Sequence, residues 1–220
     1  HIGIFDHVVG VGQGLSLIKS WGDGAGKVCE IYRFPETATD KDYMVRFSTA
    51  TIEVPESDFT LYPGYIRHHR TLRGACVFEI HASDDNTLID QSGTVFDFSG
   101  DTQLKCKLTT TTALATNLIH HPQVYVNDRV LQFETVNMNL DELFQLPLLQ
   151  DNTPQVLVNI VYVMEGDVRL DSGIENQQSQ RLRQGDALIL SNEGLNLGAS
   201  RYTIISNVAK IYHGVIAIPQ

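Results

Sequence analysis

Hydrophobic and polar residues alternate along most of this chain, in short runs that are separated by turn-forming residues. In residues 42–52, β-branched and aromatic side chains alternate with polar ones, and residues 75–81 and 104–110 repeat the pattern. Successive side chains of a strand point to opposite faces of a sheet, so this alternation predicts strands that bury one face. The first half of the chain is therefore predicted to consist of short β-strands.

The second half repeats this pattern. Runs rich in Val, Ile and Leu predict strands at residues 124–126, 130–133, 155–164, 168–170, 187–190, 202–206 and 209–218. Pro, Asp, Asn, Ser and Gly predict turns at residues 55–58, 84–86 and 99–101. Residues 140–147 predict a short helix or a loop that ends at its proline. With no long helical period, the sequence predicts an all-β fold, a sandwich or a barrel.

Two glycine-containing patterns narrow the choice of all-β fold. Residues 161–170 predict a strand, a tight turn and a second strand, and residues 183–190 predict a turn followed by a buried strand. The pair resembles the cupin pattern V-x-x-G-x-V followed by L-x-x-G-D-x-L, and Gly74 occupies a similar hairpin position. The two patterns together suggest two cupin-like barrels or one two-part barrel assembly, and of these we expect a bicupin. Its two double-stranded β-helix (jelly-roll) barrels are residues 1–125, which carry the candidate site, and residues 126–220.

Composition excludes several classes of partner. The 220 residues suffice for a sizeable core, and the formal net charge is -10 without a basic stripe. Nucleic acid and anionic membrane surfaces are therefore disfavoured as partners, because both require clustered Lys and Arg. No stretch approaches the ~18 consecutive apolar residues of a membrane span, and no signal-peptide pattern is seen at the start. We expect a cytoplasmic protein.

The cysteines do not form a recognisable framework. Cys29, Cys76 and Cys106 lie far apart, and no C-x-x-C motif occurs. An odd and sparse set of cysteines predicts neither a disulfide framework nor a zinc ribbon. We therefore expect small buried thiols in a reducing compartment, and no cofactor is predicted.

The histidines give no clear metal motif. Metal-binding cupins carry H-x-H, whereas this chain has adjacent histidines at residues 68–69 and 120–121. Adjacent side chains of a strand point to opposite faces, so at most one of each doublet could face a cavity. No metal is predicted. A composite site from His69, Glu79 and His120 stays as the alternative.

The most specific stretch is residues 59–67, in which a Pro-Gly turn leads into Arg67. With residues 45–50 upstream, residues 72–74 just downstream and residues 96–101 further on, it resembles the signature of the HutD/Ves family. That signature reads roughly W-R-x-S-x-A, then F-S-x-F-P-G-x-x-R, then L-x-G, with F-x-F-x-G-D later. The Pro-Gly-x-x-Arg match is the most specific part of the resemblance.

Two further segments match with departures. Residues 21–31 resemble the family's W-x-N-G-x-G-x-T-x-E-I, with Asp23 in place of the usual Asn and Val28 in place of the usual Thr. Residues 115–118 resemble its D-x-N-L/V segment, with Ala115 in place of the usual Asp. The resemblance covers most of the first ~125 residues and, more faintly, the rest.

The resemblance implies a bicupin related to histidine utilisation. Family members are thought to bind a small carboxylate such as urocanate, formate or formylglutamate, and to act as a regulatory brake on histidine catabolism. No established reaction comes with the family. The first hypothesis is therefore a regulatory binding protein rather than an enzyme. The alternative is a cupin-type isomerase or lyase with His69 or His120 as a base, and the second half of the chain offers a surface for a possible homodimer.

Two arginines are the main candidates for carboxylate binding. Arg46 lies in a predicted strand, and Arg67 follows the Pro-Gly turn. Burying a guanidinium is costly unless it is paired, and a guanidinium binds a carboxylate through two parallel hydrogen bonds. A clamp by both arginines is the functional interpretation. The alternatives are solvent exposure of Arg46 and an ion pair between Arg67 and Glu79.

Three other side chains are candidates for the same site. Tyr62 presents a hydroxyl on a rigid ring just before the Pro-Gly turn, and Asn117 could donate to and accept from a ligand. Trp21, the only tryptophan, precedes a glycine-rich loop and would either close the pocket or fill a barrel end. The predicted binding residues are therefore Trp21, Arg46, Tyr62, Arg67 and Asn117.

Overall fold

The computed structural model describes residues 9–11, 18–39, 42–80, 87–91, 95–133, 136–139, 155–171, 180–191, 203–206 and 209–219. The predicted turn at residues 84–86 and the predicted helix or loop at residues 140–147 lie outside these ranges. Within them the chain forms strands, turns and one short 3-10 turn at Gly22–Gly24, with no α-helix. The all-β prediction is confirmed. No helix in this part of the chain has the length and apolar character needed to cross a membrane.

The described strands, in chain order, are β1 (Val9–Val11), β2 (Ile18–Trp21), β3 (Gly26–Phe34), β4 (Val45–Ile52), β5 (Glu56–Asp58), β6 (Ile66–Arg73), β7 (Ala75–Ile80), β8 (Thr87–Gln91), β9 (Val95–Ser99), β10 (Leu104–Leu108), β11 (Ala113–His120), β12 (Tyr125–Phe133), β13 (Val136–Asn139), β14 (Gln155–Asp171), β15 (Gln180–Arg183), β16 (Ala187–Ser191), β17 (Thr203–Ser206) and β18 (Ala209–Pro219). They fall into two compact units. One contains the described part of residues 16–122, and the other contains the described parts of residues 1–15 and 123–220. Whether residues 1–125 and 126–220 are separate bicupin barrels stays a prediction.

The unit of residues 16–122 is built from two antiparallel sheets. One sheet has six strands in the order β2-β3-β4-β11-β6-β9, and the other has four in the order β5-β10-β7-β8. Apolar side chains from both sheets and from the segment before β6 form a buried cluster. Its fully or nearly fully buried members are Ile52, Phe59, Cys76, Phe78, Leu104, Cys106 and Ala113. Cys29, Cys76 and Cys106 are not in disulfide bonds.

Gly74 is the corner at which the chain leaves one sheet for the other. β6, before it, pairs with β9 and β11, whereas β7, after it, pairs with β8 and β10. The predicted hairpin at this glycine is therefore wrong. Gly74 has a φ of 80°, and a Cβ atom there would lie 2.3 Å from the carbonyl oxygen of Thr112. Both the sharp corner and the close approach of the backbone require a residue without a side chain.

The other unit contains one large antiparallel sheet, organised around the long strands β14 and β18. β14 runs without interruption from residue 155 to residue 171, through Gly166, so the predicted strand–turn–strand pattern of residues 161–170 is wrong. The pairing with β18 shifts register between Val163 and Glu165, and Gly166 has a φ of 78°. A bulge with glycine beside it bends the strand, so that its second part pairs with β15 and β17.

Two glycines of the first unit provide a matched test of the corner. Gly74 and Gly64 have the same φ of 80°, but a Cβ atom at Gly64 would have no neighbour within 4 Å. We expect Gly64→Ala to cost about 1 kcal/mol of unfolding free energy, from backbone conformation alone. Gly74→Ala should cost about 3 kcal/mol, because a clash with the backbone is added. Urea denaturation measures both values, and equal losses would contradict the role of Gly74 as a sterically crowded corner.

Candidate ligand-binding site

One face of the six-stranded sheet and the segment that precedes β6 enclose a pocket with a cavity of ≈ 80 Å³. The polar lining comes from arginine, histidine, asparagine and serine side chains, and the remainder is mostly apolar. The lining residues are Trp21, Val28, Arg46, Ser48, Ala50, Ile52, Phe59, Thr60, Tyr62, Arg67, His69, Ala115, Asn117 and Ile119. All five residues that the sequence nominates for the site thus line one and the same pocket.

Strand register explains why these residues meet. β11 lies between β4 and β6, and Ile119 of β11 is in register with Arg46 on one side and with Arg67 on the other. Asn117, which lies two residues before Ile119 on β11, is in register with Ser48 of β4 and with His69 of β6. Because side chains directly opposite each other in a sheet share a face, the two arginines flank the same point of the pocket wall. We therefore describe the pocket wall as two rows of three side chains.

Arg67 is a buried cation surrounded by aromatic rings. Its side chain is 5% exposed, and its guanidinium carbon lies 5.1 Å, 5.2 Å and 4.9 Å from the ring centres of Phe59, Tyr62 and Phe98. The negative faces of the rings stabilise a desolvated cation, although less than a carboxylate does. The three rings therefore offset only part of the cost of burying Arg67.

The hydrogen bonds of Arg67 are all to neutral groups. Its Nη1 donates to the carbonyl oxygen of Thr60 at 2.8 Å, and its Nη2 donates to Oδ1 of Asn117 at 3.2 Å. The buried Nε has no hydrogen-bond partner, and no carboxylate in the described ranges forms an ion pair with this guanidinium. Burial lowers the pKa of Arg67 to about 10, since desolvation disfavours the charged form. The proposed pair with Glu79 is wrong, because Glu79 binds Lys107 instead.

The Pro-Gly turn is held by the later F-x-F-x-G-D segment. The backbone N–H of Tyr62 donates to the carbonyl of Gly100, and the N–H of Gly100 donates to the carbonyl of Tyr65. The N–H of Gly64 donates to the carboxylate of Asp101 at 3.1 Å. A Cβ atom on Gly100 would lie 2.0 Å from the carbonyl oxygen of Tyr62, so only glycine fits there. The two motifs thus form one rigid structure that sets the ring of Tyr62 over Arg67.

Arg46, unlike Arg67, already has a carboxylate partner. Its Nε donates to Glu30 at 2.6 Å, and its Nη1 donates to the hydroxyl of Tyr62 at 3.0 Å. Glu30 also accepts two hydrogen bonds from Arg33, at 2.8 Å and 2.6 Å. Burial acts to raise the pKa of Glu30, but the hydrogen bonds from both arginines outweigh it and the pKa is lowered. Glu30 is therefore ionised and holds Arg46 in position at the pocket.

Asn117 and Trp21 have defined places in the pocket. Oδ1 of Asn117 lies within hydrogen-bond distance of both Arg67 and Nδ1 of His69, the latter at 3.3 Å. Trp21 donates from Nε1 to the carbonyl of Thr51 at 2.8 Å and packs edge-on against Phe59. Asn117 thus fixes the side chains beside it, and Trp21 lines the pocket next to Phe59.

His69 also lines the pocket, although the sequence analysis considered it only in the alternatives, as a metal ligand or a base. It is fully buried, and its Nε2 lies 3.3 Å from the hydroxyl of Thr71. The signal was present in the sequence, because residues 67, 69 and 71 of one strand must face the same side. The composite site of His69, Glu79 and His120 is not formed. His120 contacts His68 on the opposite face of the sheet, and no cluster of three or more candidate metal ligands occurs in the described part of the chain.

Comparisons with known proteins agree with the sequence motifs. The family model described as HutD matches residues 17–205. A conserved protein of unknown function from Pseudomonas aeruginosa PAO1 superposes with a TM-score of 0.71 and 20% identity, covering 95% of this chain and 98% of that one. HutD from Pseudomonas fluorescens SBW25, in a formate condition, gives a TM-score of 0.61 and 18% identity, covering 94% and 97%.

The fold is also found in more distant proteins. Oxalate decarboxylase from Lactobacillus farciminis, in a formate complex, gives a TM-score of 0.60 at 7% identity, covering 100% of this chain and 88% of that one. At such identities the likeness concerns the fold alone. No curated protein matches the sequence.

Replacing Arg67 tests whether its charge is uncompensated. Burial lowers the pKa of Arg67 in the folded protein to about 10, below its ordinary value, so the charge costs folding free energy at neutral pH. This cost begins to decline only as the pH rises above about 10. We expect Arg67→Met, which keeps an unbranched apolar side chain and removes the charged guanidinium, to unfold at the same or a higher urea concentration than the wild type.

Arg70 is the matched comparison for this variant. It lies on the same strand, is 1% exposed, and donates from Nη1 to Asp97 at 2.8 Å. Arg70→Met should lose about 1.5–3 kcal/mol, because a charged hydrogen bond is broken. If Arg67→Met loses as much stability as Arg70→Met, the charge of Arg67 is compensated within the protein and our interpretation of the pocket is wrong.

Proposed function

Because the chain belongs to the HutD family, we propose that it is a non-enzymatic regulatory protein linked to histidine utilisation, which binds a small carboxylate in this pocket. The observation that carries the proposal is the guanidinium of Arg67, which is buried without a carboxylate. A protein gains little stability from such a charge, so its retention is better explained by a ligand that neutralises it. A carboxylate is the anion whose geometry fits a guanidinium, through two parallel hydrogen bonds.

The charges favour a ligand with one carboxylate. Arg46 is paired with Glu30, whereas Arg67 has no anionic partner among the described residues. Arg67 is the pocket arginine that pairs with no carboxylate of the described residues, so it can accommodate one anion. A second carboxylate would have to compete for Arg46 with Glu30, which Arg46 shares with Arg33. Of the ligands that the family resemblance implies, formate and urocanate carry one carboxylate and formylglutamate carries two. We therefore rank formate and urocanate above formylglutamate.

The apolar side chains of the pocket suit the rest of such a ligand. The cavity is also lined, beside the two rows of side chains described above, by Trp21, Val28, Phe59 and Ala115. The ≈ 80 Å³ cavity matches a ligand of few non-hydrogen atoms, and a larger one would extend toward the open side. Formate is the first probe to use, since structures of HutD from P. fluorescens and of the L. farciminis oxalate decarboxylase were determined with it.

The isomerase or lyase alternative gains no support from the described contacts. His69 is directed at Asn117 and Thr71, which orient the ring. His120, the other candidate base, does not line the pocket and contacts His68. A binding protein is therefore the function that the geometry favours.

Formate should stabilise the protein through Arg67. In thermal denaturation, formate at a hundred times its Kd should add about 2.7 kcal/mol to the unfolding free energy of the wild type. Arg67→Met should show no stabilisation. Arg73→Met is the matched control, because Arg73 lies on the same strand but is exposed, and it should respond as the wild type does. Sodium chloride at the same concentration is the salt control. Carboxylate binding here would be refuted if neither formate nor urocanate stabilised the wild type more than sodium chloride does.

Binding should also weaken at high pH. The free protein loses the Arg67 proton as the pH rises through about 10, whereas formate stays ionised. A bound anion favours the charged guanidinium, so ligand binding retains the proton and the affinity should fall up to tenfold per pH unit above about 10. Titration calorimetry measures the affinity, and circular dichroism checks that the protein stays folded. An affinity that does not change between about pH 8 and pH 11 would contradict a role for the Arg67 charge.

A further inference from the structure

Two histidines meet on the face of the six-stranded sheet that is opposite the pocket. Arg67 and His69 of β6 line the pocket, so His68, which lies between them, points to the other side. There its Nε2 lies 3.0 Å from Nε2 of His120 of β11, and the ring centres are 5.1 Å apart. The side chains are 11% exposed for His68 and 4% for His120. The two rings therefore interact in a largely desolvated place.

The nearest polar neighbour of Nδ1 in each ring is a hydrogen-bond acceptor. Nδ1 of His120 lies 2.9 Å from the carbonyl oxygen of His121, and a carbonyl can only accept a hydrogen bond. Nδ1 of His68 lies 3.2 Å from the carboxylate of Asp97. Burial acts to raise the pKa of Asp97, but the contacts with His68 and Arg70 outweigh it and lower the pKa to about 2. The ionised carboxylate only accepts, and it lies closer to Nδ1 of His68 than does the donor Nη2 of Arg70, which is 3.4 Å away. We therefore assign a hydrogen to both Nδ1 atoms.

With both Nδ1 atoms protonated, two neutral rings would direct their Nε2 lone pairs at each other across 3.0 Å. One additional proton turns this repulsion into an N–H···N hydrogen bond. We propose that His68 and His120 share a single proton as a buried imidazolium–imidazole pair, and that this proton regulates anion binding in the pocket on the other side of the sheet. The regulatory part rests on the proposed function.

The surrounding charges fit one proton rather than a metal ion. Asp97 of β9 faces Nδ1 of His68 and favours the cation. Arg70 of β6 binds the same carboxylate, and its Nη2 lies 3.4 Å from Nδ1 of His68, which opposes further positive charge. On the other side of β11, His120 is in register with the apolar Val45 of β4. Only two ring nitrogens converge among the described residues, fewer than the three or four protein ligands that metals such as zinc usually take.

Two strands connect the histidine pair to the pocket. β6 carries Arg67 on the pocket face and His68 on the other, and β11 carries Asn117 on the pocket face and His120 on the other. Arg67 and Asn117 are hydrogen-bonded to each other across these strands. Loss of the shared proton restores lone-pair repulsion between β6 and β11 and removes a positive charge behind the anion site. We therefore expect the protonated pair to favour anion binding.

Nuclear magnetic resonance of protein with ¹⁵N-labelled histidine rings tests the shared proton without any ligand. A pair that shares a proton titrates in two separate steps, because the second proton would place two cations in contact. We expect one step above and one below the ordinary histidine pKa of about 6.5. His68→Gln and His120→Gln assign the signals, and each should leave a single step. His121→Gln is the control and should keep both steps, since His121 contributes only its carbonyl. Independent titration of both rings near pH 6.5 would overturn the proposal.

Formate affinity across the same pH range tests the regulatory part. In the wild type the affinity for formate should fall several-fold as the pH rises through the upper titration step, at which the shared proton is lost. In His120→Gln this pH-dependent fall should be absent, while formate still binds. A shared proton with unchanged formate affinity would overturn the regulation. Stoichiometric zinc binding that releases the proton would overturn the shared-proton site. No formate binding at any pH would instead refute the proposed function and its regulation, and the ring titration would still decide the shared proton.

Discussion

The desolvation of the Arg67 guanidinium is the constraint on which the rest of the pocket depends. Its charge is held by three aromatic rings, one backbone carbonyl and one amide oxygen, none of which carries a negative charge. Such an environment tolerates a cation but does not neutralise it. The segment around the Pro-Gly turn, its anchor at residues 99–101 and the central strand β11 all supply contacts that hold this one group. Under the proposed function, an incoming anion would not have to displace an internal carboxylate from Arg67.

The second arginine shows by contrast what a structural ion pair looks like in the same pocket. Arg46 is paired with Glu30, a carboxylate that it shares with Arg33, so its positive charge is partly balanced inside the protein. The opposite face of the sheet contains another partly compensated group, the pair of His68 and His120 beside Asp97. Alternation along β6 and β11 thus places two sets of polar groups on opposite faces of the same two strands. Any shift of these strands would affect both sets together.

Much of this could be predicted from the sequence, for identifiable reasons. The five pocket residues were chosen with the help of the resemblance to the HutD/Ves family. The all-β fold and the fixed approach of Arg67 follow from local patterns, namely a period of two and a Pro-Gly turn before a strand. Long-range contacts do not follow from them. Glu30 and Arg46, or His68 and His120, meet only through strand register. Gly74 and Gly166 were predicted as hairpin turns because a positive φ suits several structures. In the protein the first is a corner between sheets, and the second lies beside a bulge inside a continuous strand.

The state of the Arg67 side chain in solution is the most direct test of this account. With ¹⁵N-labelled arginine, the Nε–H signal of Arg67, assigned through Arg67→Met, reports whether that buried donor acquires an acceptor. We expect the signal to shift and its exchange with water to slow when sodium formate is added, and to stay unchanged with sodium chloride at the same ionic strength. If the Nε–H signal already shows a strong hydrogen bond in the free protein and formate leaves it unaltered, Arg67 is not an unoccupied carboxylate-binding group and the account is wrong.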